Sequence, residues 1–86
     1  MASAQAIAAA VEARVQSATT KEYSLWTIGV TDDDERRKTE HGNPEYWLCW
    51  AANSEEEARS IEKYFLDKGM KGGPGGPGTA GYVYIF

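Results

Sequence analysis

The chain is poor in cysteine, histidine and long apolar runs, and each shortage excludes a class of function. Its 86 residues include one cysteine, Cys49, and one histidine, His41. One cysteine excludes an internal disulfide and a multi-cysteine zinc site, and one histidine cannot form a two-histidine metal site. Residues 6–11, the longest apolar stretch near the start, are far fewer than the roughly 20 of a membrane helix. The start also lacks a secretory signal pattern, so we expect a cytoplasmic protein without a membrane partner.

Positive charge is also scarce. Nine lysines and arginines stand against 13 acidic residues, which gives a net charge of −4 at pH 7 and a sequence pI near 4.9. Attraction to phosphates comes from the summed charge of lysine and arginine. The composition therefore argues against a broadly basic nucleic-acid binder, and any role on nucleic acid has to rest on a local basic patch.

Aromatic residues, in contrast, are plentiful. The chain has three Trp, five Tyr and two Phe. A domain this small buries a smaller fraction of its surface than a large one, so it depends on dense aromatic packing. Cys49 lies within an aromatic run and is expected to be a buried small apolar residue. No internal repeat or second domain is visible, so residues 1–86 are expected to form a single domain.

The first two helices are predicted from periodicity and capping signals. Residues 3–18 are alanine-rich and carry an apolar stripe every four positions, which predicts a helix laid across a sheet or, alternatively, a dimer contact. That stripe consists of Ile7, Val11 and Val15. A second helix is expected over about residues 33–41, with Asp32 as N-cap, Glu35 completing a capping box and Gly42 ending it.

The third helix has the strongest signals in the chain. Ser54 and Glu57 form a capping box, and the helix is expected to end at residues 68–69. Its apolar stripe consists of Ala58, Ile61, Phe65 and Leu66. Residues 69–78 follow, with six glycines and two prolines, and predict a loop that acts either as a flexible turn or as a mobile flap.

Three segments predict strands. Apolar and polar side chains alternate imperfectly along residues 23–30. Residues 46–51 place apolar side chains on both faces of a strand, which favours an interior position for that strand. The terminal segment 81–86 has high β propensity and would be an aggregation hazard at an open edge, so we expect it in the middle of the sheet. The predicted fold class is α+β, a small central antiparallel sheet of about three strands with three helices packed on it.

The segment from Trp26 to His41 passes from an apolar run to a glycine, then to acidic residues and a helix start. This order resembles the second half of the GIY-YIG nuclease signature, in which the "YIG" strand leads into a helix with a catalytic arginine. Arg37 lies eight residues and His41 twelve residues after Gly29, separations similar to those of the family. The resemblance covers about 16 residues, or about 45 when the helix with Glu62 is included.

The resemblance implies a divalent-metal-dependent endonuclease. Arg37 would bind the scissile phosphate, His41 would transfer a proton or contact phosphate, and Glu62 would hold Mg²⁺ or Mn²⁺. A guanidinium suits this role because its planar fork meets two phosphate oxygens. Further contacts to nucleic acid would come from neighbouring cations, namely Arg36, Lys38, Lys68 and Lys71.

Simpler interpretations of the same residues remain open. The cationic run at residues 36–38 is also typical of a solvated helix face. Glu62 is equally able to pair with Lys63 or Arg59. His41 is also placed to be the C-terminal cap of its helix, where the helix dipole favours a protonated imidazole.

The chain also departs from the family pattern. Thr27 stands where "YIG" has its tyrosine, and no "GIY" strand precedes it, which would leave the site without its base. We hypothesise that the terminal strand takes the central position of the missing one, so that Tyr82 or Tyr84 points at Arg37. Tyr23 is a further candidate.

Two functions follow as hypotheses. In the first, a GIY-YIG-like domain engages nucleic acid and hydrolyses a phosphodiester with a divalent metal. In the second, the same scaffold is a catalytically inactive module that binds a protein, or a second copy of itself, through exposed aromatics or the glycine-rich loop. The acidic net charge and Thr27 favour the second, whereas the spacing of Arg37, His41 and Glu62 favours the first.

Overall fold

The computed structural model of the protein describes residues 3–18, 22–72 and 81–86. Within these residues it confirms the expected α+β class, with three α-helices and a four-stranded sheet. Residues 73–78 of the glycine-rich segment lie outside the described residues. The elements are α1 (Ala4–Ser17), a 3₁₀ turn (Tyr23–Leu25), β1 (Thr27–Thr31), α2 (Asp34–Glu40), β2 (Leu48–Ala51), α3 (Glu55–Asp67), β3 (Lys71–Gly72) and β4 (Tyr82–Ile85).

The sheet has the strand order β2-β4-β1-β3. The terminal strand β4 lies between β2 and β1 and runs antiparallel to both, which confirms its predicted central position. The fourth strand, β3, pairs in parallel with β1 and was not predicted, so the sheet is mixed rather than purely antiparallel. The predicted interior position of residues 46–51 is wrong, because β2 lies at an edge of the sheet.

The two faces of the sheet are covered by different helices. Side chains at alternate positions of β1 and β4 join α1 and α3 in one apolar core, which includes Ile28, Val30, Val83 and Ile85. The opposite face contacts α2 and the segment that follows it, since His41 and Trp47 both pack against Tyr84. Although β2 lies at the edge of the sheet, its residues are therefore half-buried on both faces, which explains their apolar pattern.

Helices α1 and α3 form as predicted. Ser3 caps α1 by accepting a hydrogen bond from the Ala6 N–H at 3.2 Å, and Ser54 caps α3 by accepting from the Glu57 N–H at 3.1 Å. The stripe of α1 is fully buried in the core of the single chain, so it needs no second copy to cover it. In α3 the predicted stripe is buried except for Leu66, which is 37% exposed.

The start of β1 and the cap of α2 differ from prediction. Residues 23–25 form a 3₁₀ turn, in which the Trp26 N–H bonds to the Tyr23 carbonyl, and the strand begins only at Thr27. The N-cap of α2 is Asp33, which accepts from the Arg36 N–H at 3.0 Å, rather than Asp32. The shift arises because the Thr31 hydroxyl accepts from the Asp33 N–H and holds the cap in place. Cys49 is half-buried rather than fully buried.

Within the described residues, every helix is too short or too polar to span a bilayer.

Candidate functional site

The candidate site is built around the close approach of Tyr84 to Gly29. The two residues face each other across the β1–β4 pair, and Tyr84 is fully buried. Its ring lies over the Gly29 backbone, so a Cβ at position 29 would overlap the Tyr84 hydroxyl and Cζ and lie 2.8 Å from Cε2. Only glycine leaves room for this ring, which places the phenol over the strand that leads into α2.

His41 contacts the phenol from the end of α2. Its Nε2 lies 3.1 Å from the Tyr84 hydroxyl, and its backbone N–H caps the helix by donating to the Arg37 carbonyl at 3.1 Å. His41 is thus both the helix cap and a partner of Tyr84. Because the cap fixes where the helix ends, the length of α2 sets the position of the imidazole against the phenol.

Two aromatic rings cover this pair. Trp47 stacks on Tyr84 with ring centroids 4.4 Å apart and planes 14° apart, and its Nε1 donates to the Asp34 carboxylate at 2.7 Å. Phe86 lies 4.9 Å from the His41 ring and 5.6 Å from the Trp47 ring. We call Trp47 and Phe86 the aromatic cover. It removes Tyr84 from solvent and leaves His41 half-buried.

Arg37 is the buried cation of the site, with 9% of the residue exposed. Its Nη1 donates to the Glu40 carboxylate at 3.0 Å. This hydrogen bond raises the pKa of Arg37, burial opposes the rise, and a hydrogen bond to Tyr84 adds to it. The guanidinium therefore stays charged, is paired with a half-exposed carboxylate and interacts electrostatically with the buried phenol.

Glu62 lies on α3 and is half-buried. Burial raises the pKa of its carboxyl group, and Arg59 opposes that rise. The Tyr84 pKa is also raised, first by burial and further by the negative charge of Glu62, while its hydrogen bond with Arg37 lowers it. The charge of Glu62 therefore acts on Tyr84 from α3, which packs on the other face of the sheet, whereas His41 and Arg37 lie on the Tyr84 side.

The protonation states of this group suit proton transfer. Burial lowers the pKa of His41, the charge of Arg37 lowers it further, and Glu40 opposes both. Burial and the arginine thus act against the helix dipole, which favours a protonated imidazole at this position. A neutral imidazole can accept the phenolic proton of Tyr84 while Arg37 donates to the phenolic oxygen.

The other two candidate tyrosines are placed elsewhere. Tyr82 is 37% exposed and lies opposite Thr31 and Ala51, one pair further along the same face. Tyr23 packs its ring against Phe65 of α3, with centroids 6.0 Å apart. Of the three, Tyr84 is the tyrosine that the structure brings to His41 and Arg37.

The four cations suggested as nucleic-acid contacts occupy two regions of the structure. On α2, exposed Arg36 forms an ion pair with Asp32, and Lys38 is half-buried. In the other region, Lys68 caps α3 with its Nζ 4.9 Å from the Tyr64 ring, and Lys71 is exposed in β3. Only the α2 pair directly flanks Arg37 in the sequence.

The donor set for a metal is small. Among the described residues, no three His, Cys, Asp or Glu side chains lie close enough together to hold an ion. Mg²⁺ usually keeps several waters and is bound through one or two carboxylates together with substrate phosphates. Glu62 does not by itself form a metal site, and a divalent ion there would need water and substrate phosphate for the rest of its coordination.

Several residues of the site were missed by sequence reasoning, above all Trp47, Phe86 and Glu40. A signal for Phe86 was present, because alternate positions of a strand share a face and so align it with Tyr84. Trp47 has the same relation to Cys49, which pairs with Tyr84. Glu40 also had a signal, since it lies three residues after Arg37 on the same helix and opposite charges at this spacing are neighbours.

No family model, curated protein or solved structure matches this chain.

The lowered pKa of His41 leads to a prediction about pH. Because the folded-state pKa lies below the unfolded value of about 6.5, the unfolded chain binds more protons in this range. The contribution of His41 to stability is therefore complete above about pH 6.5 and is lost as the pH falls through the folded-state pKa. We expect thermal melts between pH 7.5 and 5 to show a larger loss of Tm for the parent than for His41→Gln.

The parent has to be compared with His41→Gln because Glu62, whose pKa is raised, changes the stability in the opposite direction as the pH falls. Its contribution to stability is complete below about pH 4.5 and is lost as the pH rises through its folded-state pKa. NMR titration gives a direct measurement, since His41 is the single histidine in the chain. An imidazole midpoint at or above 6.5 would contradict the burial argument.

Proposed function

We propose that this chain is a small GIY-YIG-like nuclease domain that engages nucleic acid and hydrolyses a phosphodiester with a divalent metal. One observation carries the proposal: over Gly29, Tyr84 of the central strand contacts His41 and interacts electrostatically with Arg37. A phenol thereby lies beside the arginine and histidine whose spacing resembles the family signature, although Thr27 occupies the position of the signature tyrosine.

Each group has a separate role in this proposal. Arg37 binds oxygens of the scissile phosphate, with the guanidinium fork exchanging the Glu40 carboxylate for the substrate. That exchange is feasible because the Glu40 side chain is 48% exposed and an ion pair with an exposed partner is weak. Tyr84 takes a proton from the attacking water as it passes its own proton to neutral His41.

Glu62 would hold the divalent metal together with the substrate phosphate. When bound there, the ion neutralises charge that develops on the phosphate and its leaving group. The raised pKa of Glu62 means that the carboxyl group gains from a cation that offsets the cost of burying its charge.

Access to Tyr84 requires a movement of the aromatic cover. Tyr84 is fully buried, and Trp47 lies flat on its ring. The segment before Trp47 contains two residues with left-handed backbone, Gly42 (φ 81°) and Asn43 (φ 52°), at the end of α2. In the active form of the protein, this turn is the place where the cover opens to admit water and phosphate.

The same burial supports a second candidate function. A site whose phenol is fully buried and whose arginine is paired with Glu40 is also what a catalytically inactive interaction module would retain as a packing core. In that case the protein binds a protein partner or a second copy of itself through exposed aromatics, and Arg37, His41 and Tyr84 serve stability alone.

A cleavage assay separates the two functions. Single-stranded, duplex and branched DNA and RNA are incubated with Mg²⁺ or Mn²⁺ and the parent, Glu62→Gln or Glu56→Gln. Glu56 is an exposed glutamate on the same helix and serves as the matched control. We expect metal-dependent nicking by the parent and by Glu56→Gln, and a loss of about a hundredfold or more in Glu62→Gln.

The opposite result is equally informative. If folded parent leaves every substrate intact at both metals, the nuclease proposal fails and the interaction module is favoured. Equal nicking by parent and Glu62→Gln would remove Glu62 from the site.

A further inference from the structure

An open groove lies next to the candidate site, on the far side of Phe86. It has a volume of about 510 Å³ and is formed where the end of α1 meets the 3₁₀ turn and the segment before β2. We call it the aromatic groove, and its principal lining residues are Arg14, Leu25, Trp26, Tyr46 and Phe86. This volume lies within the range of pockets that hold small molecules or single residues of a polymer.

The groove presents exposed apolar and aromatic surface. Tyr46 is 63% exposed and Leu25 is 59% exposed, whereas Trp26, at 8%, forms part of the buried core. A ring as exposed as that of Tyr46 can stack on a flat ligand at little conformational cost.

A cation lies between the rings. The Arg14 guanidinium carbon is 5.0 Å from the Trp26 ring centroid and 5.7 Å from that of Tyr46. Its Nη1 donates to the Ser17 hydroxyl at 3.3 Å, and among residues 3–18, 22–72 and 81–86 no carboxylate forms an ion pair with it. In an acidic protein, this positive charge is left available to an anionic ligand.

We propose that the aromatic groove binds one unpaired nucleotide of a single-stranded nucleic acid. The base stacks on Tyr46, its phosphate contacts Arg14, and the sugar packs on Leu25. Proteins that bind single strands combine aromatic platforms with arginine in this way, whereas the bases of a duplex are already stacked and cannot reach such a ring.

The position of the groove connects it to the candidate site. Phe86 contributes to the groove and also contacts the His41 ring at 4.9 Å, and Tyr46 directly precedes Trp47 of the aromatic cover. The assignment rests on the proposed function in one respect: a nucleotide held here adjoins a phosphate at Arg37. The preferred substrate is then a strand with an unpaired nucleotide next to the scissile bond.

Binding is tested without metal, so that no cleavage occurs. Affinity for a short oligothymidylate and for a duplex of the same length is measured in EDTA for the full chain and for Tyr46→Ala and Arg14→Gln. Tyr64→Ala is the matched control, since Tyr64 is another exposed tyrosine (45%) with a cation, Lys68, 4.9 Å from its ring. Thermal melts verify that each variant is folded.

The expected effects differ between the two variants. Tyr46→Ala weakens oligothymidylate binding about five- to 150-fold, the range that the loss of one stacked base produces. Arg14→Gln weakens binding and also reduces the slope of log affinity against log salt by about 0.7, the value for one phosphate contact on a single strand. Tyr64→Ala binds as the parent does.

Several outcomes would overturn the assignment. These are no binding by the parent, unchanged affinity of Tyr46→Ala, or duplex binding as tight as that of the single strand. Tyr46-dependent binding of an acidic peptide in place of the oligonucleotide would assign the groove to a protein partner instead. If oligonucleotide binding depends on Tyr46 but no metal-dependent cleavage is found, the groove assignment is supported and the nuclease proposal fails. If cleavage is found but Tyr46→Ala binds with unchanged affinity, the nuclease proposal is supported and the groove assignment fails.

Discussion

Cleavage by the Arg37→Ala variant is expected to fall by about a hundred- to a thousandfold relative to the parent, the loss produced by removing one preorganised donor from a transition state. Arg37 is the buried cation that contacts Tyr84 and is held in place by Glu40. Its removal takes away both the phosphate contact and the charge that lowers the pKa of Tyr84. The single-turnover rate at saturating metal measures this effect without a contribution from product release.

The neighbouring arginine provides the control. Arg36 is on the same helix, is exposed and is paired with Asp32, so Arg36→Ala is expected to change the rate by about twofold or less. Equal losses in both variants would show that α2 contributes only general positive charge. Because Arg37 is largely buried, Arg37→Lys is measured as well: it keeps the charge but lacks the planar fork, and an intermediate rate is expected.

Stability separates catalysis from folding in this series. If Arg37→Ala loses activity only in proportion to the fraction of unfolded chain, the arginine serves packing, as the interaction-module alternative requires. A full loss of activity at a temperature where the variant is entirely folded places Arg37 on the phosphate.

The helices could be predicted because their signals are local. Ser3 and Ser54 each accept the hydrogen bond of a backbone N–H three residues later, an interaction that depends on a few adjacent residues. The stripe of α1 repeats with the helical period and is buried as expected. The one-residue error at the cap of α2 shows the limit, because three consecutive aspartates offer equivalent caps and the Thr31 hydroxyl decides between them.

The sheet was harder to predict because strand partners are distant in the sequence. Residues 46–51 are apolar on both faces, yet β2 is an edge strand, since coverage by helices and position within the sheet are independent properties. The two residues of β3 have no strand signal at all. They pair with β1 because the turn after α3 brings Lys71 beside Thr27.

In the candidate site, too, local features could be predicted and contacts between distant parts of the sequence could not. The spacing of Arg37 and His41 on one helix could be read locally, but the tyrosine that accompanies them is more than forty residues away, at position 84. The hypothesis that the terminal strand takes a central position led to it, because alternation along β4 limits the choice to two tyrosines. Helical spacing places Glu40 beside Arg37, but the position of Trp47 over Tyr84 depends on the pairing of β2 with β4, which lies far away in the sequence.

The second large effect is expected on stability. Gly29→Ala should destabilise the fold by about 3 kcal/mol, the upper part of the usual range for overpacking a core. The added Cβ would overlap both the hydroxyl oxygen and Cζ of Tyr84, a ring that is fully buried and stacked against Trp47 and so has little room to move. For a domain of this size the Tm should fall by roughly 12–24 °C.

The cause of this loss is tested by changing the ring rather than the glycine. Tyr84→Phe should not rescue Gly29→Ala, because Cζ remains in the way once the hydroxyl is gone. Tyr84→Leu should rescue much of the loss, so a double-mutant cycle between positions 29 and 84 should show strong coupling. Gly81→Ala is the matched control, since a Cβ there meets no atom within 4 Å, and its Tm should change little.

These outcomes also bear on why a glycine stands at position 29. If Gly29→Ala melts as the parent does, the ring is not held over β1, and the contact of Tyr84 with Arg37 and His41 loses its basis. If coupling to position 84 is found, the glycine is required by a tyrosine from the far end of the chain. The strand that leads into α2 and the strand that ends the chain then form one unit, in which the absence of a side chain at Gly29 places a phenol beside the arginine.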